Sequence, residues 1–182
     1  MWLTFGVQRW ADTDGQGKVV LKTSPSGGAC HPIEAYVLAH RVRGIEAGFY
    51  HYESDTHRLT TIRRGARAAT LRACVQSQPW LGDAAFLVFM CPIYARTAWR
   101  YPSGRAYRSI LIEAGHLGQT FCVLAAERGL APFCTLAIDD PHVDRQLGLD
   151  GVDQGVIYLV GAGAAPRGGF RSGVPLEQKL GP

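Results

Sequence analysis

The sequence predicts an α+β fold made of one domain, and three observations support that class. The chain has 182 residues, of which 47% are hydrophobic, and this is enough to bury a single core. Strand-like runs and helical patterns follow each other without the strict alternation of a doubly wound fold. One long amphipathic pattern, from Arg105 to Arg128, predicts a helix that packs at the centre of the molecule.

This pattern is the clearest helical signal in the chain. Its apolar residues recur at steps of three and four and form one stripe, which contains Tyr107, Ile110, Leu111, Ala114, Leu117, Phe121, Leu124 and Ala125. Gly129 follows as the predicted C′ residue. Residues 66–77 predict a second helix, and residues 141–147 predict a short third helix with Asp139 or Asp140 as its cap.

Side-chain alternation and short apolar runs predict the strands. Residues 34–42 alternate along one strand, and residues 49–52 and 58–62 flank four polar residues as in a hairpin. Three more runs are interpreted as strands: residues 86–91, 133–138 and 155–160.

The two ends of the chain lack such patterns. Residues 1–23 are polar and contain glycine, with a turn predicted at residues 12–15. After Gly161 the chain is rich in Gly and Pro, which predicts an extended tail over residues 164–182. Since no linker or internal repeat interrupts the sequence, residues 1–182 are expected to form a single domain.

Charge and hydropathy exclude two kinds of partner. The formal charge of +4 is carried by sixteen arginines and three lysines, which do not form a recognisable nucleic-acid-binding module. The longest apolar run, Ala84–Met90, is far shorter than the roughly 20 residues of a membrane span. The first ten residues lack the basic region and apolar stretch of a signal peptide. We therefore expect neither a nucleic acid nor a membrane partner.

The five cysteines indicate a reducing compartment. They are odd in number, form no CxxC pair and have apolar neighbours, so we expect buried, reduced thiols in a cytoplasmic protein. A structural zinc site would need close cysteine pairs, which the sequence lacks.

Several short motifs are weak by themselves. Gly161-Ala162-Gly163 resembles the start of a dinucleotide fingerprint, but Pro166 replaces the third glycine. Glu113 and His116 stand three residues apart on the long helix and could share a metal, although such a pair is more often structural. Ser26 and His31 lack the elbow motif of a serine hydrolase.

Two segments are better candidates for a functional site. The run Ser24-Pro25-Ser26-Gly27-Gly28 combines hydroxyls, small residues and exposed backbone N–H groups, which can surround a phosphate or the edge of a flavin ring, or simply form a turn. Arg100-Tyr101 places a permanent cation beside a phenol just before the long helix.

An ordered series of motifs covers residues 3–163 and is more specific than any one of them. It consists of Thr23-Ser24-Pro25-Ser26-Gly27-Gly28-Ala29-x-His31-Pro32-x-Glu34, Gly48-Phe49-Tyr50-His51-Tyr52, His57-x-Leu59, Arg100-Tyr101, Arg105-Ala106-Tyr107-Arg108, Glu113-Ala114-Gly115-His116-Leu117-Gly118-Gln119 and Leu147-Gly148-Leu149-Asp150-Gly151. This series resembles the SagB-type dehydrogenases of the nitroreductase superfamily, flavin enzymes that oxidise azolines in peptide natural products.

The resemblance implies an FMN-binding α+β fold, in which helices flank a mixed sheet around a long central helix. It also implies a homodimer or hetero-oligomer with the flavin in clefts at the interface. Pro25, Ser26 and Gly27 match the loop that lies against the flavin. Thr135 and Leu136 match the place where backbone groups approach the isoalloxazine ring, and Arg167 matches a basic residue at the FMN phosphate. These residues are the cofactor-binding candidates.

Arg100 and Tyr101 are the catalytic candidates, because they align with a Lys-Tyr pair implicated in proton removal by azoline oxidases. In that chemistry the flavin accepts a hydride and a base takes the companion proton. Arg100 departs from the lysine of the family. An arginine can stabilise developing negative charge but is a poor base, so Tyr101 would relay the proton.

A second departure concerns residues 1–23, which are shorter than the N-terminal part of the superfamily. An Arg-x-Ser-x-Arg-like segment that grips the FMN phosphate is absent from this sequence. Three explanations stay open: an upstream start codon, a second polypeptide that supplies the segment, or weakened flavin binding.

The expected function is an FMN-dependent oxidoreductase that dehydrogenates a peptide-derived or other small substrate, with azoline-to-azole oxidation as its specific form. The alternative is a non-catalytic subunit or pseudoenzyme that keeps the fold for assembly.

Overall fold

Eight strands and five α-helices form the described part of the chain, which in this computed structural model comprises residues 1–13, 17–76 and 78–165. The strands are β1 (Arg9–Thr13), β2 (Gly17–Leu21), β3 (Ile33–Ala39), β4 (Gly48–Glu53), β5 (Arg58–Arg64), β6 (Phe86–Pro92), β7 (Leu130–Thr135) and β8 (Tyr158–Ala164). The helices are α1 (Trp2–Phe5), α2 (Ala68–Ala73), α3 (Tyr94–Arg100), α4 (Arg105–Glu127) and α5 (Asp140–Leu147).

Six of these strands form one sheet in the order β5-β4-β3-β6-β8-β7, and β1 pairs with β2 as a separate hairpin. The predicted α+β class with a long central helix is confirmed. Every pairing in the six-stranded sheet is antiparallel, whereas the resemblance implied a mixed sheet. In particular, β8 is antiparallel to both of its neighbours, β6 and β7.

The central strands are buried on both faces, so the sheet lies between two helical layers. Alternate residues of β3 separate cleanly: Ala35 and Val37 belong to one core cluster, and Tyr36 and Leu38 belong to the other. The first cluster includes the apolar stripe of α4, and the second includes side chains from α2 and α5. The alternation predicted for residues 34–42 therefore describes the two faces of one strand.

The stripe of α4 is confirmed over most of its length. Ile110, Ala114, Leu117, Phe121 and Ala125 are buried. The other three stripe residues are not core: Leu124 is half-buried, and Tyr107 and Leu111 are 51% and 45% exposed. The first turns of α4 pack against α3 rather than the sheet, and here the Tyr107 ring stacks on Tyr94 with centroids 6.1 Å apart.

By length and composition alone, α4 is long and apolar enough to cross a membrane. A helix in the core of a folded domain can have the same length and composition. The buried stripe of α4 packs against β7, β8 and β3. Its composition is therefore explained by packing inside the fold.

Several element boundaries differ from the prediction. The helix predicted over residues 66–77 is confined to Ala68–Ala73, and β7 occupies residues 130–135 instead of 133–138. Pro132 lies inside β7, which is tolerated because β7 is an edge strand and needs no ladder hydrogen bond from that residue on its open side. Similarly, β8 begins at Tyr158 and continues through Ala164, where the sequence predicts the start of a tail.

The N-terminal region is more structured than its polar composition suggested. The described residues among 1–23 form α1 and the paired strands β1 and β2. The turn predicted at residues 12–15 lies partly outside the described residues, as does the predicted tail beyond residue 165. The cap of α5 is Asp139, whose carboxylate accepts a hydrogen bond from the backbone N–H of His142 at 3.0 Å.

All five cysteines are free thiols, but they are not all buried. Cys74 and Cys91 are buried, Cys30 and Cys122 are half-buried, and Cys134 is exposed. The expectation of buried thiols is therefore wrong for Cys134, because its side chain projects to solvent from the edge strand β7. Burial raises the pKa of Cys74 to about 12, which leaves that thiol protonated and unreactive at neutral pH.

We expect Leu117→Ala to lower the free energy of unfolding by about 2–5 kcal/mol, because it opens a cavity under the centre of α4. Leu117 is 4% exposed, whereas Val123 on the same helix is 55% exposed. Val123→Ala is the matched control and should change stability by less than about 0.5 kcal/mol. Chemical denaturation measures both, and equal losses in the two variants would contradict central burial of α4.

Candidate functional site

The loop at residues 24–31, called here the SPSGG loop, is held against α4 by side-chain contacts. The hydroxyls of Ser24 and Thr120 lie 2.9 Å apart. The Ser26 hydroxyl donates to Oε2 of Glu113 at 2.5 Å. The two anchors lie about two turns apart on the helix, so they fix the loop along the middle of α4.

The glycines of the loop are required by close approach and by backbone conformation. A Cβ atom on Gly27 would stand 2.1 Å from the Ser109 hydroxyl of α4. Gly28 has a φ of 61°, and the non-glycine residues Ala29 and His31 also adopt positive φ values of 53° and 43°. Such conformations cost roughly 1–2 kcal/mol for each non-glycine residue and persist only where surrounding contacts impose them.

Arg100 and Tyr101, the two catalytic candidates, lie against the same loop. A Cβ atom on Gly28 would be 2.6 Å from Cδ and Nε of Arg100 and from the Tyr101 hydroxyl. Arg100 ends α3, and Tyr101 follows it as the C-cap and remains 39% exposed. The structure therefore brings this pair together with the loop that contains Pro25, Ser26 and Gly27.

A cavity of about 410 Å³, called here the loop pocket, opens between the SPSGG loop and α4. Its lining combines small loop residues, two guanidinium groups and a carboxyl group: Pro25, Ser26, Gly27, Arg105, Arg108, Ser109, Ile112, Glu113 and His116. The arginines are exposed at the first turns of α4. This combination suits an anionic ligand with a flat or narrow edge.

Thr135 and Leu136 lie in a different place, at the end of β7. The Thr135 hydroxyl accepts hydrogen bonds from the backbone N–H of Ala137 at 3.0 Å and from the side-chain amide of Gln78 at 3.2 Å. Leu136 is 75% exposed. Leu136 lines a second cavity of about 380 Å³, the strand-end pocket, together with the aromatic residues Tyr94 and Tyr107.

The two pockets lie on different sides of α4. Tyr107 and Leu111 reach the strand-end pocket, whereas Arg105, Arg108 and Ile112 reach the loop pocket. At 3.6 residues per turn the mean directions of these two sets differ by roughly 110° around the helix axis. The structure thus brings five of the candidates together and leaves Thr135 and Leu136 apart from them. Arg167 lies outside the described residues.

Glu113 is the residue at this site that the sequence reasoning missed. The sequence suggests Glu113 only as a metal partner of His116. In the structure the two side chains are in different environments, because Glu113 is 4% exposed and His116 is exposed. No group of three potential metal ligands occurs among the described residues. The signal was available in the helical periodicity, because Glu113 lies three residues after Ile110 and four before Leu117, inside the buried stripe.

Burial raises the pKa of Glu113 to about 7, although the Ser26 hydrogen bond and the positive charge of Lys22 act in the opposite direction. Nδ1 of His31 is 4.0 Å from Oε1 of Glu113. Burial and the Lys22 charge lower the pKa of His31, so its ring is neutral at pH 7 and adds no compensating charge.

A second charged cluster supports the loop from its other side. Arg96 donates to the backbone carbonyl of His31 at 3.3 Å and to Oε1 of Glu34 at 2.5 Å. His51 completes the cluster with a 2.7 Å contact to Oε2 of Glu34. Although burial alone would raise it, these hydrogen bonds lower the net pKa of Glu34. The carboxylate therefore stays ionised and fixes the end of the loop.

Curated proteins of known processing systems are similar to this chain in sequence. The Trifolitoxin-processing protein TfxB of Rhizobium leguminosarum is 32% identical over 142 residues, which are 74% of this chain and 37% of TfxB. The Microcin B17-processing protein McbC of Escherichia coli is 27% identical over 136 residues, which are 72% of this chain and 50% of McbC. The chain thus spans about half or less of the length of these two curated relatives.

Solved structures share the fold. A crystal structure assigned as a nitroreductase from Anabaena variabilis superposes with a TM-score of 0.78 and 27% identity, over 88% of this chain and 33% of that one. The E. coli microcin synthetase McbBCD complex superposes with a TM-score of 0.73 and 22% identity, over 91% of this chain and 61% of that one. Residues 11–164 match the Nitroreductase family. On this match over most of its length, the chain belongs to the nitroreductase family.

Proposed function

We propose that this chain is an FMN-dependent oxidoreductase that dehydrogenates a peptide-derived or other small substrate, with azoline-to-azole oxidation as its specific form. The observation that carries the proposal is the packing of Arg100 and Tyr101 against Gly28 of the SPSGG loop. This contact joins the two catalytic candidates to the candidate flavin loop. Family membership adds support, because oxidoreductases share the fold.

The residues of the loop pocket fit a flavin nucleotide in their chemistry. Arg105 and Arg108 supply guanidinium groups for a phosphate, and the small residues of the loop allow a ring to approach the backbone. In the strand-end pocket, the exposed turn at Leu136 and the Tyr94–Tyr107 stack suit the edge and face of an aromatic ring. The proposed role of Arg167 at the phosphate stays a prediction.

We propose a homodimer that brings a loop pocket of one protomer to a strand-end pocket of its partner. One protomer presents these pockets on different sides of α4, and a second copy, or a second polypeptide of the same fold, would bring the other pocket to the same ligand. Exposed apolar side chains support association: Leu136 and Ile112, which line the two pockets, are 75% and 52% exposed, and Trp99 on α3 is 81% exposed.

FMN, when bound, supplies a two-electron acceptor for the dehydrogenation. This chain supplies the groups around it. The Arg100 guanidinium stabilises the negative charge that develops as a proton leaves the substrate, and the Tyr101 hydroxyl relays that proton toward solvent. Tyr101 is partly exposed, which leaves a path for the proton.

A peptide-derived substrate is proposed by analogy with the relatives. TfxB and McbC are named for the processing of trifolitoxin and microcin B17, and the synthetase complex holds a truncated pro-peptide. The free cysteines are consistent with the proposed cytoplasmic location. The competing proposal, a non-catalytic subunit that serves assembly, is favoured by the arginine at position 100.

We expect the purified protein to bind FMN weakly and to quench its fluorescence, and Gly27→Val to abolish the quenching. The added side chain would collide with Ser109 and push the loop away from α4. Gly115→Val is the matched control, since a Cβ atom at Gly115 meets nothing within 4 Å. Fluorescence titration measures both variants. No binding by this chain, alone or extended upstream, would favour the non-catalytic subunit.

We expect Leu136→Asp to convert the dimer to a monomer and to weaken FMN binding, because it places a charge in the proposed apolar interface. Ile62→Asp is the control, since Ile62 is 38% exposed on β5, at the far edge of the sheet. Light scattering with and without FMN reports the mass. A dimer that survives Leu136→Asp would place the interface elsewhere.

We expect Tyr101→Phe to slow flavin reduction by about 10²–10⁴-fold with little change in FMN affinity, because it removes the proton relay. Arg100→Lys should retain activity, since it restores the residue type of the azoline oxidases. The measurement is anaerobic single-turnover reduction with a synthetic thiazoline-containing peptide. Unchanged rates in both variants would leave the two residues with a structural role only.

A further inference from the structure

The Ser26 hydroxyl has a hydrogen-bond pattern that conflicts with donation to a ligand. Its oxygen accepts the backbone N–H of His31 at 2.9 Å, and it lies 2.5 Å from Oε2 of Glu113. An ionised carboxylate can only accept, so the single hydroxyl proton of Ser26 must point at Glu113. In that state Ser26 has no proton left for a ligand oxygen in the loop pocket.

The pattern reverses when Glu113 is protonated. The carboxylic acid then donates its own O–H to the Ser26 oxygen, which can accept this bond together with the one from His31. The Ser26 proton is released from Glu113 and can turn into the loop pocket, which both residues line. No atom of the backbone has to move for this exchange.

We propose that Glu113 is a positioning residue of the loop pocket, whose proton decides whether Ser26 can donate a hydrogen bond to a bound ligand. The inference rests on the proposed function in taking FMN as that ligand. It assigns a role to a buried carboxyl group that the proposed dehydrogenation does not otherwise use. In this role Glu113 acts through its hydrogen bond with Ser26.

The charged and titratable groups around Glu113 set the pH at which it gains or loses its proton, and that pH is near neutral. The loop contributes neutral His31 at 4.0 Å, and Lys22 contributes a positive charge that acts against protonation. On α4 itself, Arg108 and His116 line the same pocket. Burial outweighs the Lys22 charge and raises the pKa of Glu113 to about 7, so both states are populated under ordinary conditions.

The first test is the pH dependence of FMN affinity between about pH 5.5 and 8.5. Wild-type affinity should fall by about 10-fold as pH rises through the Glu113 titration, which is the effect of losing about one hydrogen bond. Apart from the phosphate titration common to all variants, Glu113→Gln should bind FMN equally well at every pH, because its amide does not titrate and can donate to Ser26. Ser26→Ala should stay at the weak level. The titration of the FMN phosphate is common to all variants and cancels in the comparison.

His116→Gln excludes the other source of pH dependence in the pocket. We expect this variant to keep the wild-type profile. If Glu113→Gln keeps the profile and His116→Gln loses it, the dependence belongs to His116 and the proposal is overturned.

The second test needs no ligand and separates this inference from the FMN proposal. The pKa of Glu113 is higher in the folded protein than its ordinary value of 4.5, so the folded state holds the extra proton. The free energy of unfolding should therefore fall as pH rises from about 4.5 to about 7, and Glu113→Gln should lack this fall.

Ser26→Ala should move the midpoint of that fall to higher pH, because the Ser26 hydrogen bond lowers the pKa of Glu113. If FMN binds to none of these proteins, the proposed function fails, and this shift alone decides whether Glu113 and Ser26 are coupled. An unshifted midpoint in Ser26→Ala overturns the inference.

Discussion

Burial of the apolar stripe of α4 against one face of the sheet is the contact on which the candidate site depends. The central strands present apolar side chains on both faces, so one helix must cover the face formed by residues such as Val37, Val88 and Val160. Leu117 and Phe121 fill that layer. Glu113, at the edge of this stripe, and Thr120 then hold the SPSGG loop, which has no strand or long helix of its own.

The loop combines several features that are unfavourable by themselves. Ala29 and His31 have left-handed backbone conformations, and Glu113 places a carboxyl group within an apolar stripe. Each feature has an unfavourable free energy by itself, and it persists because contacts in the assembled fold stabilise it. Strained backbone and buried polar groups are concentrated at functional sites. A binding pocket needs a defined shape and polar side chains, and apolar packing alone supplies neither.

The separation of the two pockets is a geometric consequence of the same helix. A helix that is buried along one stripe has two flanks, and the fold uses one flank for the loop and the other for the end of β7. The proposed division of the site between two copies builds on this orientation of α4.

The sequence by itself determined the α+β class, the extent of α4, its termination at Gly129, and the hairpin of β4 and β5. These features are local, because periodicity, capping and turn chemistry act over a few residues. The contact of Arg100 and Tyr101 with the SPSGG loop was expected only through the resemblance, since about 70 residues separate them along the chain. Only the tertiary structure decided that Glu113 is buried under Ser26, that Tyr107 and Leu111 leave the core, and that Leu136 lies apart from the loop. Each of these three features depends on which element packs against a given side of α4. The sequence pattern of a single helix shows that the helix has a buried side, but it does not show which elements lie beside the helix.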